Sequence, residues 1–521
     1  MLALTIYLTF LGVLVLTLLP RTAVNAARCV ALSTAVAGFA VSLGVAAFYN
    51  ADASAVAMIN VPWIKSLGIH YHLEFDGISM TLVLLNGLAA VTGILFSWNI
   101  QNRTKEFFAF FLALIGGVYG VFLSFDAFLL FVFYEIAIIP KYFLIAIWGS
   151  TRKEYGAMKL VLYSFVGSAM VLVGLIAAYV VAHAQTGVYT FDLNALARVK
   201  FPISFQMWAF PLVFVGFGIL AGLWPFHTWA PTGHVAAPTA ASMLLAGVVM
   251  KLGAYGCLRV AMTLFPLGLS RWASPHLGFG SWQDVFAVLA VTGIVYGALV
   301  ALVQRDFKFV IGYSSVSHMG FVLLGLMTLS LTGLTGAVLQ MFSHGIIAGL
   351  LFAVVGRMVY DRTHTRDFAN LEGMGLSQAI PFAAVTFVIA GVASMGLPGF
   401  SGFVAELQVL IGAWSSYPTL TLLCGIGILV GIAYTLRAIQ KAFFADTTVA
   451  ANVSPPLNEL AAHSHSHPHA LEPISLPERI AAMILIATTL VIGLYPRLLL
   501  DFIVPALGSP LFDGLRKGGL Q

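Results

Sequence analysis

About fourteen stretches of roughly 20 mostly apolar residues follow one another along this chain, and they leave little freedom in how it can fold. They fall near residues 2–20, 27–49, 77–99, 106–124, 127–148, 157–183, 207–226, 238–264, 283–303, 309–330, 334–360, 379–415, 418–444 and 478–500. Each is long enough to cross a bilayer as a helix. The composition agrees. The 521 residues are 60% hydrophobic and only 9% charged, with a mean hydropathy of +0.97, where soluble domains carry about 25% charged residues. The expected fold is an all-α polytopic membrane protein of about fourteen transmembrane helices. The first stretch lacks a basic leader and is followed by Arg21, so it reads as an uncleaved span.

An even number of spans places both termini on one side. With both outside, the loops carrying Arg21, Arg28, Arg103, Lys105, Arg152, Lys153, Arg305, Lys308, Arg357, Arg362, Arg366, Arg437, Lys441 and Arg479 face the cytoplasm. Fewer basic residues remain outside, among them Lys65, Arg198, Lys200, Arg259, Arg271 and Arg497. The excess of positive charge inside favours this orientation, in a bacterial cytoplasmic (inner) membrane. Lys141, Lys159 and Lys251 fall within expected spans.

Several function classes are excluded by pattern. Cys29, Cys257 and Cys424 are far apart, with no zinc or iron–sulfur spacing. Neither a P-loop nor a dinucleotide-binding glycine motif occurs. No nucleophile–base pair stands out, so the sequence offers no cofactor site and no metal site. The segment 463–469 alternates histidines with other residues; it reads as a solvated loop, with metal binding as the other possibility.

Two spans are interrupted. The first break is Gly222-Leu-Trp-Pro-Phe-His-Thr-Trp-Ala-Pro231, continuing to Pro238; the second is Gly396-Leu-Pro-Gly-Phe-Ser-Gly402. Proline removes a backbone donor and glycine loosens the helix, so both should unwind. Unwound backbone at membrane depth survives only in a protein interior or a wet cavity. Paired broken helices point to internal repeats with a site at the midplane. Ordinary proline kinks are the alternative, but each break has titratable residues beside it: His227 and His234, then Glu406.

The remaining ionisable residues in apolar runs supply the candidate chemistry. Glu135 lies mid-span, where a charge costs roughly 2.5 kcal/mol or more. Asp126 opens the same span as an N-cap or interface residue. Lys141 is six residues beyond Glu135, too far around the helix for an obvious direct pair. Lys159 is close enough to a loop to snorkel. Lys251 sits mid-span among small residues and cannot easily reach either surface. His318 and His344 lie on consecutive spans beside Ser314, Ser315, Ser317 and Ser343, which suggests a wet polar path. Glu135, Lys251, His318, His344 and Glu406 together suit proton relay, with Lys141, Lys159, His227, His234 and Asp126 as further candidates.

Five stretches carry a resemblance. Tyr134-Glu-Ile-Ala-Ile-Ile-Pro, Pro225-Phe-His-Thr-Trp-Ala-Pro, Leu244-Leu-Ala-Gly-Val-Val-Met-Lys-Leu-Gly-Ala-Tyr-Gly, Asp306-Phe-Lys with Tyr313-Ser-Ser-Val-Ser-His-Met-Gly-Phe, and Leu397-Pro-Gly-Phe-Ser-Gly-Phe-Val-Ala-Glu resemble the antiporter-like membrane subunits of respiratory complex I. His364-Thr-Arg-Asp fits the M type (subunit 4) among them. The resemblance covers nearly the whole chain. It implies two inverted five-helix repeats, each with a broken helix: an N-terminal segment 1–105, repeats at 106–264 and 283–444, and a last part at 445–521. It also implies a proton-translocating subunit of an NADH:quinone oxidoreductase with no redox cofactor of its own. NADH, flavin, iron–sulfur clusters and quinone would then belong to partner subunits, which would include related antiporter-like chains.

By matching motifs, Glu135 takes the place of the family's first-repeat carboxylate and Lys251 that of its central lysine. His318 and His344 take the places of the linking histidines, and Glu406 that of the exit residue. One departure matters. Leu220 stands where the family usually carries a lysine, and Thr232 where an acid usually follows. Lys141 offers a replacement ammonium from the carboxylate's own helix; a first half that no longer conducts, leaving a structural subunit, is the alternative. A cation/proton antiporter, a membrane hydrogenase or a carbon-uptake complex are further settings for such a chain.

Overall fold

The computed structural model describes residues 1–50, 55–270, 280–445 and 471–518. The segment 463–469 therefore lies outside the described residues. Among these residues, 12 helices are long and apolar enough to cross a membrane. Two shorter apolar helices, Ala3–Leu18 and Pro381–Ser394, complete the expected set.

In order, the principal elements are α1 Ala3–Leu18, α2 Val24–Phe48, β1 Val56–Ile64, β2 Ile69–Phe75, α3 Gly77–Phe96, α4 Thr104–Leu123, α5 Ala127–Trp148 and α6 Lys153–Thr186. The first interrupted span is α7 Ile203–Ala221 and α8 Trp229–Ala236. Then come α9 Thr239–Met262, α10 Trp282–Val303, α11 Phe307–Met327 and α12 Leu331–Thr363. The second interrupted span is α13 Pro381–Ser394 and α14 Ser401–Ser416, followed by α15 Pro418–Phe443, α16 Leu476–Leu494 and α17 Arg497–Leu507.

Both breaks form where glycine and proline coincide. Gly222 ends α7 with φ +84°, and Gly396 and Gly399 follow α13 with φ +73° and +99°. A side chain at such angles is strained, and glycine is not. Pro225 and Pro398 then withhold the N–H groups that a continuing helix needs.

The expected all-α membrane fold forms, with one small addition. An antiparallel hairpin, β1 with β2, precedes α3, pairing Val56 with Phe75 and Ile64 with Ile69. Its role in the fold is to anchor the start of α5: the His70 N–H donates to Asp126 Oδ2 at 3.0 Å. Asp126 also caps α5, accepting from the N–H groups of Phe128 and Leu129. That satisfies two donors a helix start leaves open.

The same device occurs again in α11. Asp306 accepts from the N–H groups of Lys308 and Phe309. Asp126 forms an isolated antiparallel bridge with Asp192 beyond α6, and Asp306 forms one with Asp367 beyond α12. The two copies are inverted. Asp306 pairs with Arg366 at 3.3 Å, and Arg366 also donates to Ser150, just past the C-terminal end of α5. Helix α11 therefore starts on the face where α5 finishes.

Burial sorts the helices. In α9 and α12 every side of the apolar stretch is enclosed, and α3 is nearly so, whereas α2 and α15 are mostly open. Leu11, Phe165 and Leu429 are exposed large apolar residues of the kind that face lipid. The helices carrying Lys251 and His344 are thus the innermost of the bundle.

Candidate functional site

Lys251 is fully buried, with 0% exposure. It follows a π-helical turn, Leu245–Val249, within α9. In a π turn the backbone bond reaches one residue further, so a carbonyl is left turned away from its usual donor. The Lys251 ammonium bonds the Ala246 carbonyl in that turn. Its Nζ also lies 2.7 Å from His344 Nδ1 on α12.

From there the polar groups continue. The His344 and His318 rings stack at 5.5 Å between centroids. His318 Nδ1 is 2.9 Å from Glu406 Oε1, and His318 Nε2 is 3.1 Å from Ser394 Oγ. Gln340 donates to the same Glu406 oxygen at 3.2 Å. A cavity of about 10 Å³ is lined by both histidines, Gln340, Ser394 and Glu406. That is the least space that admits one water. The second break builds this end of the site: Ser394 closes α13, and Glu406 lies early in α14.

On the other side of Lys251, His234 of α8 is buried, with no hydrogen-bond partner for either ring nitrogen among the described residues. It feels the charges of both Lys251 and Lys308. Lys308 donates to the Ala237 carbonyl at 2.6 Å, at the gap between α8 and α9. Arg366 donates to the neighbouring Val235 carbonyl at 3.0 Å. Beside Lys308 is a cavity of about 190 Å³ lined by Ser150, Thr239, Tyr360 and Asp361. Cations from the second half of the chain thus hold the carbonyls freed by the first break.

Glu135 is half-buried, and its Oε1 is enclosed without a hydrogen-bond partner. Ser168 of α6 contacts the carboxylate, and Lys141 is the charge it feels. Lys141 is 1% exposed, and its Nζ has no hydrogen-bond partner among the described residues. Lys159 does not turn to the surface: it reaches Thr232 Oγ1 at 3.3 Å. His227, also buried, meets the Tyr296 ring nearly at right angles, and Lys159 is a charge it feels. Leu220 is buried and apolar.

The structure therefore brings Lys251, His344, His318 and Glu406 into one line, with His234 adjoining. Glu135 and Lys141 form a separate group. No chain of side-chain hydrogen bonds joins the two among the described residues. Asp126 is a cap tied to the hairpin.

Some basic residues read as loop charges are buried instead: Lys308, Arg357, Arg362 and Arg366 on one face, and Arg259 on the other. Each has an acidic partner or a backbone carbonyl. Arg259 pairs bidentately with Asp76, both contacts at 2.7 Å. Arg357 and Arg362 share Glu478, at 2.6 and 2.8 Å. Lys308 was detectable in the sequence by its place two residues after an N-cap, inside the helix it opens. The hairpin face holds a further cluster. His72 lies 2.6 Å from Asp192 and 3.2 Å from Glu74. Burial pushes its imidazole down, but the two carboxylates outweigh this and raise it to about 9.

Two interrupted spans in an inverted repeat, with buried ionisable groups at the breaks, define an antiporter-like polytopic membrane protein. The chain belongs to the NADH:quinone oxidoreductase/Mrp antiporter transmembrane family, whose profile matches residues 124–431. It is 35% identical over 494 residues to NADH-quinone oxidoreductase subunit M of Rhodobacter capsulatus, covering 92% of this chain and 89% of that protein. Among solved structures it matches a chain of respiratory complex I from Thermus thermophilus with bound NADH. The TM-score is 0.83 and the identity 26%, over 99% of this chain and 100% of that one. A chain of the Mrp complex from a Dietzia species shares the fold, with a TM-score of 0.78 and 21% identity over 98% of each.

Proposed function

We propose that this chain is a proton-translocating, non-redox membrane subunit of a complex I-type NADH:quinone oxidoreductase. Its partners are other membrane subunits of that complex, including related antiporter-like chains. The resemblance in sequence to a subunit M over most of both chains supports the assignment. The NADH, flavin, iron–sulfur and quinone chemistry belongs to partner subunits. The repeats span 106–264 and 283–444, and both termini lie outside the bacterial inner membrane.

One observation carries the mechanism: an enclosed line from Lys251 through His344 and His318 to Glu406. At 2.7 Å, two positive charges repel by about 6 kcal/mol even at an effective dielectric of about 20. Lys251 and His344 therefore share one excess proton instead of holding two. Because the pair does not hold both, a second proton delivered to Lys251 expels the first through His344. From there it passes to His318, by way of a water in the small cavity that both histidines line, and on to Glu406. The route by which Lys251 reloads runs past His234 and Lys308, and Lys308 also lines the cavity of about 190 Å³. The change in separation that sets the direction comes from quinone reduction elsewhere in the complex.

Glu406→Gln tests this. The amide keeps hydrogen bonds to His318 and Gln340 but accepts no proton. In vesicles holding the whole complex, NADH-driven proton uptake should be lost while NADH oxidation with an artificial acceptor continues. Unchanged uptake refutes the line as a conductor. Leu220 favours a second reading, a subunit whose first half does not conduct. The shared fold with the Mrp complex keeps a cation/proton antiporter in view. Purification with an NADH-oxidising arm decides for complex I.

A further inference from the structure

We propose that Lys141 is the proton-carrying amine of the first half of the molecule, working against Glu135 from the same helix. The inference rests on the proton-translocating reading above and extends it to the half where α7 supplies no cation.

Five observations carry it. Lys141 is 1% exposed, so its ammonium does not snorkel to a surface. Among the described residues neither its Nζ nor Glu135 Oε1 has a hydrogen-bond partner, although each is enclosed. An inert position would be filled by methionine or leucine, since an unsatisfied buried charge is costly. The two groups are nonetheless coupled through their charges. Around them lie further buried hydroxyls without partners, Tyr134 Oη on α5 and Ser164 Oγ on α6, a turn from the Ser168 that touches Glu135. Unpartnered polar atoms gathered on two packed helices mark a place that water enters.

The fifth observation is local backbone chemistry. Pro140 lies inside α5 and has no N–H to give the Ile136 carbonyl. That carbonyl is five residues before Lys141. The Ala246 carbonyl, which the Lys251 ammonium bonds, is also five residues before its lysine. One helix frees its carbonyl with a π turn and the other with a proline. In this structure the Lys141 Nζ is bonded to neither group. In the proposed cycle it moves between two places, toward the Glu135 carboxylate while it holds its proton and toward the Ile136 carbonyl when the two draw apart. On separation the ammonium gives one proton to adjoining water and remains as the neutral amine. Glu135 takes up a proton in its place.

The test uses vesicles containing the whole complex with Lys141→Met, Lys141→Arg and, for comparison, Lys251→Met, each checked for assembly. NADH-driven proton uptake should be lost in both Lys141 variants. Arginine keeps the charge but does not release its proton, so normal uptake in Lys141→Arg reduces Lys141 to a fixed counter-ion and overturns the proposal. Normal uptake in Lys141→Met overturns it too. If Lys251→Met then loses uptake, the wider reading stands without Lys141. If Lys251→Met is also normal, both fall together.

Discussion

Raising the pH from about 6 to about 9.5 should release the β1–β2 hairpin from the body of the protein. The hairpin is held to the body through His72, which lies 2.6 Å from Asp192; Glu74, at 3.2 Å, is on β2 itself and adds to the negative charge around the ring. Its folded-state pKa of about 9 lies above the usual value of 6.5. A raised histidine contributes stability that is fully present below pH 6.5 and is lost as pH climbs through 9. The shift of about 2.5 units corresponds to about 3 kcal/mol as an upper bound, since Glu74 on the same strand supplies part of it. Roughly 2 kcal/mol of it remains at about pH 7.5, and little is left above pH 9. Asp192, held below the usual carboxylate range by the same contact, reports the same interaction and is not counted again. The assay is hydrogen exchange of the hairpin amides, corrected for the intrinsic rise in exchange with pH. Protection at Val61 and Tyr71 should fall by about a hundredfold across the range, with no matching change in α9 or α12. A His72→Gln variant should show low protection at every pH. Hairpin protection that stays flat with pH in the unmodified protein would refute the reasoning.

Three further outcomes follow from buried contacts. Arg259→Met leaves the Asp76 carboxylate enclosed with only a backbone donor, and should cost about 3–5 kcal/mol. Thermal release of the subunit from the complex measures this, and adding Asp76→Asn should restore most of it. Glu478→Gln removes the charge that Arg357 and Arg362 share, and should loosen α16 from α12 by about 2–3 kcal/mol in the same assay. Gln340→Leu takes one donor from Glu406 while leaving His318 in place, so proton uptake in vesicles should slow without loss of assembly.

Much of the architecture was legible in the sequence because the bilayer imposes long apolar runs, and because glycine beside proline marks each break in plain letters. The line from Lys251 to Glu406 was also visible residue by residue, since ionisable groups in oil stand out. Its order in space was not. That order comes from α9 and α12 packing at the centre, which no local pattern encodes. The hairpin was missed because Pro62 and the polar His70, His72 and Glu74 interrupt its apolar residues. Arg259 read as a loop charge because its partner, Asp76, is 183 residues away in the chain. Lys308 read the same way because Arg305 and Asp306 precede it, yet the helix starting at Phe307 carries it inward to the Ala237 carbonyl.

The most direct measurement is the number of protons moved per NADH oxidised in vesicles bearing Lys251→Arg. The guanidinium preserves positive charge beside His344 but gives up no proton. A fall in that ratio, with the complex assembled and electron transfer from NADH intact, is what a relaying lysine predicts. An unaltered ratio would mean that Lys251 only fixes a charge in place, and that protons do not pass through it.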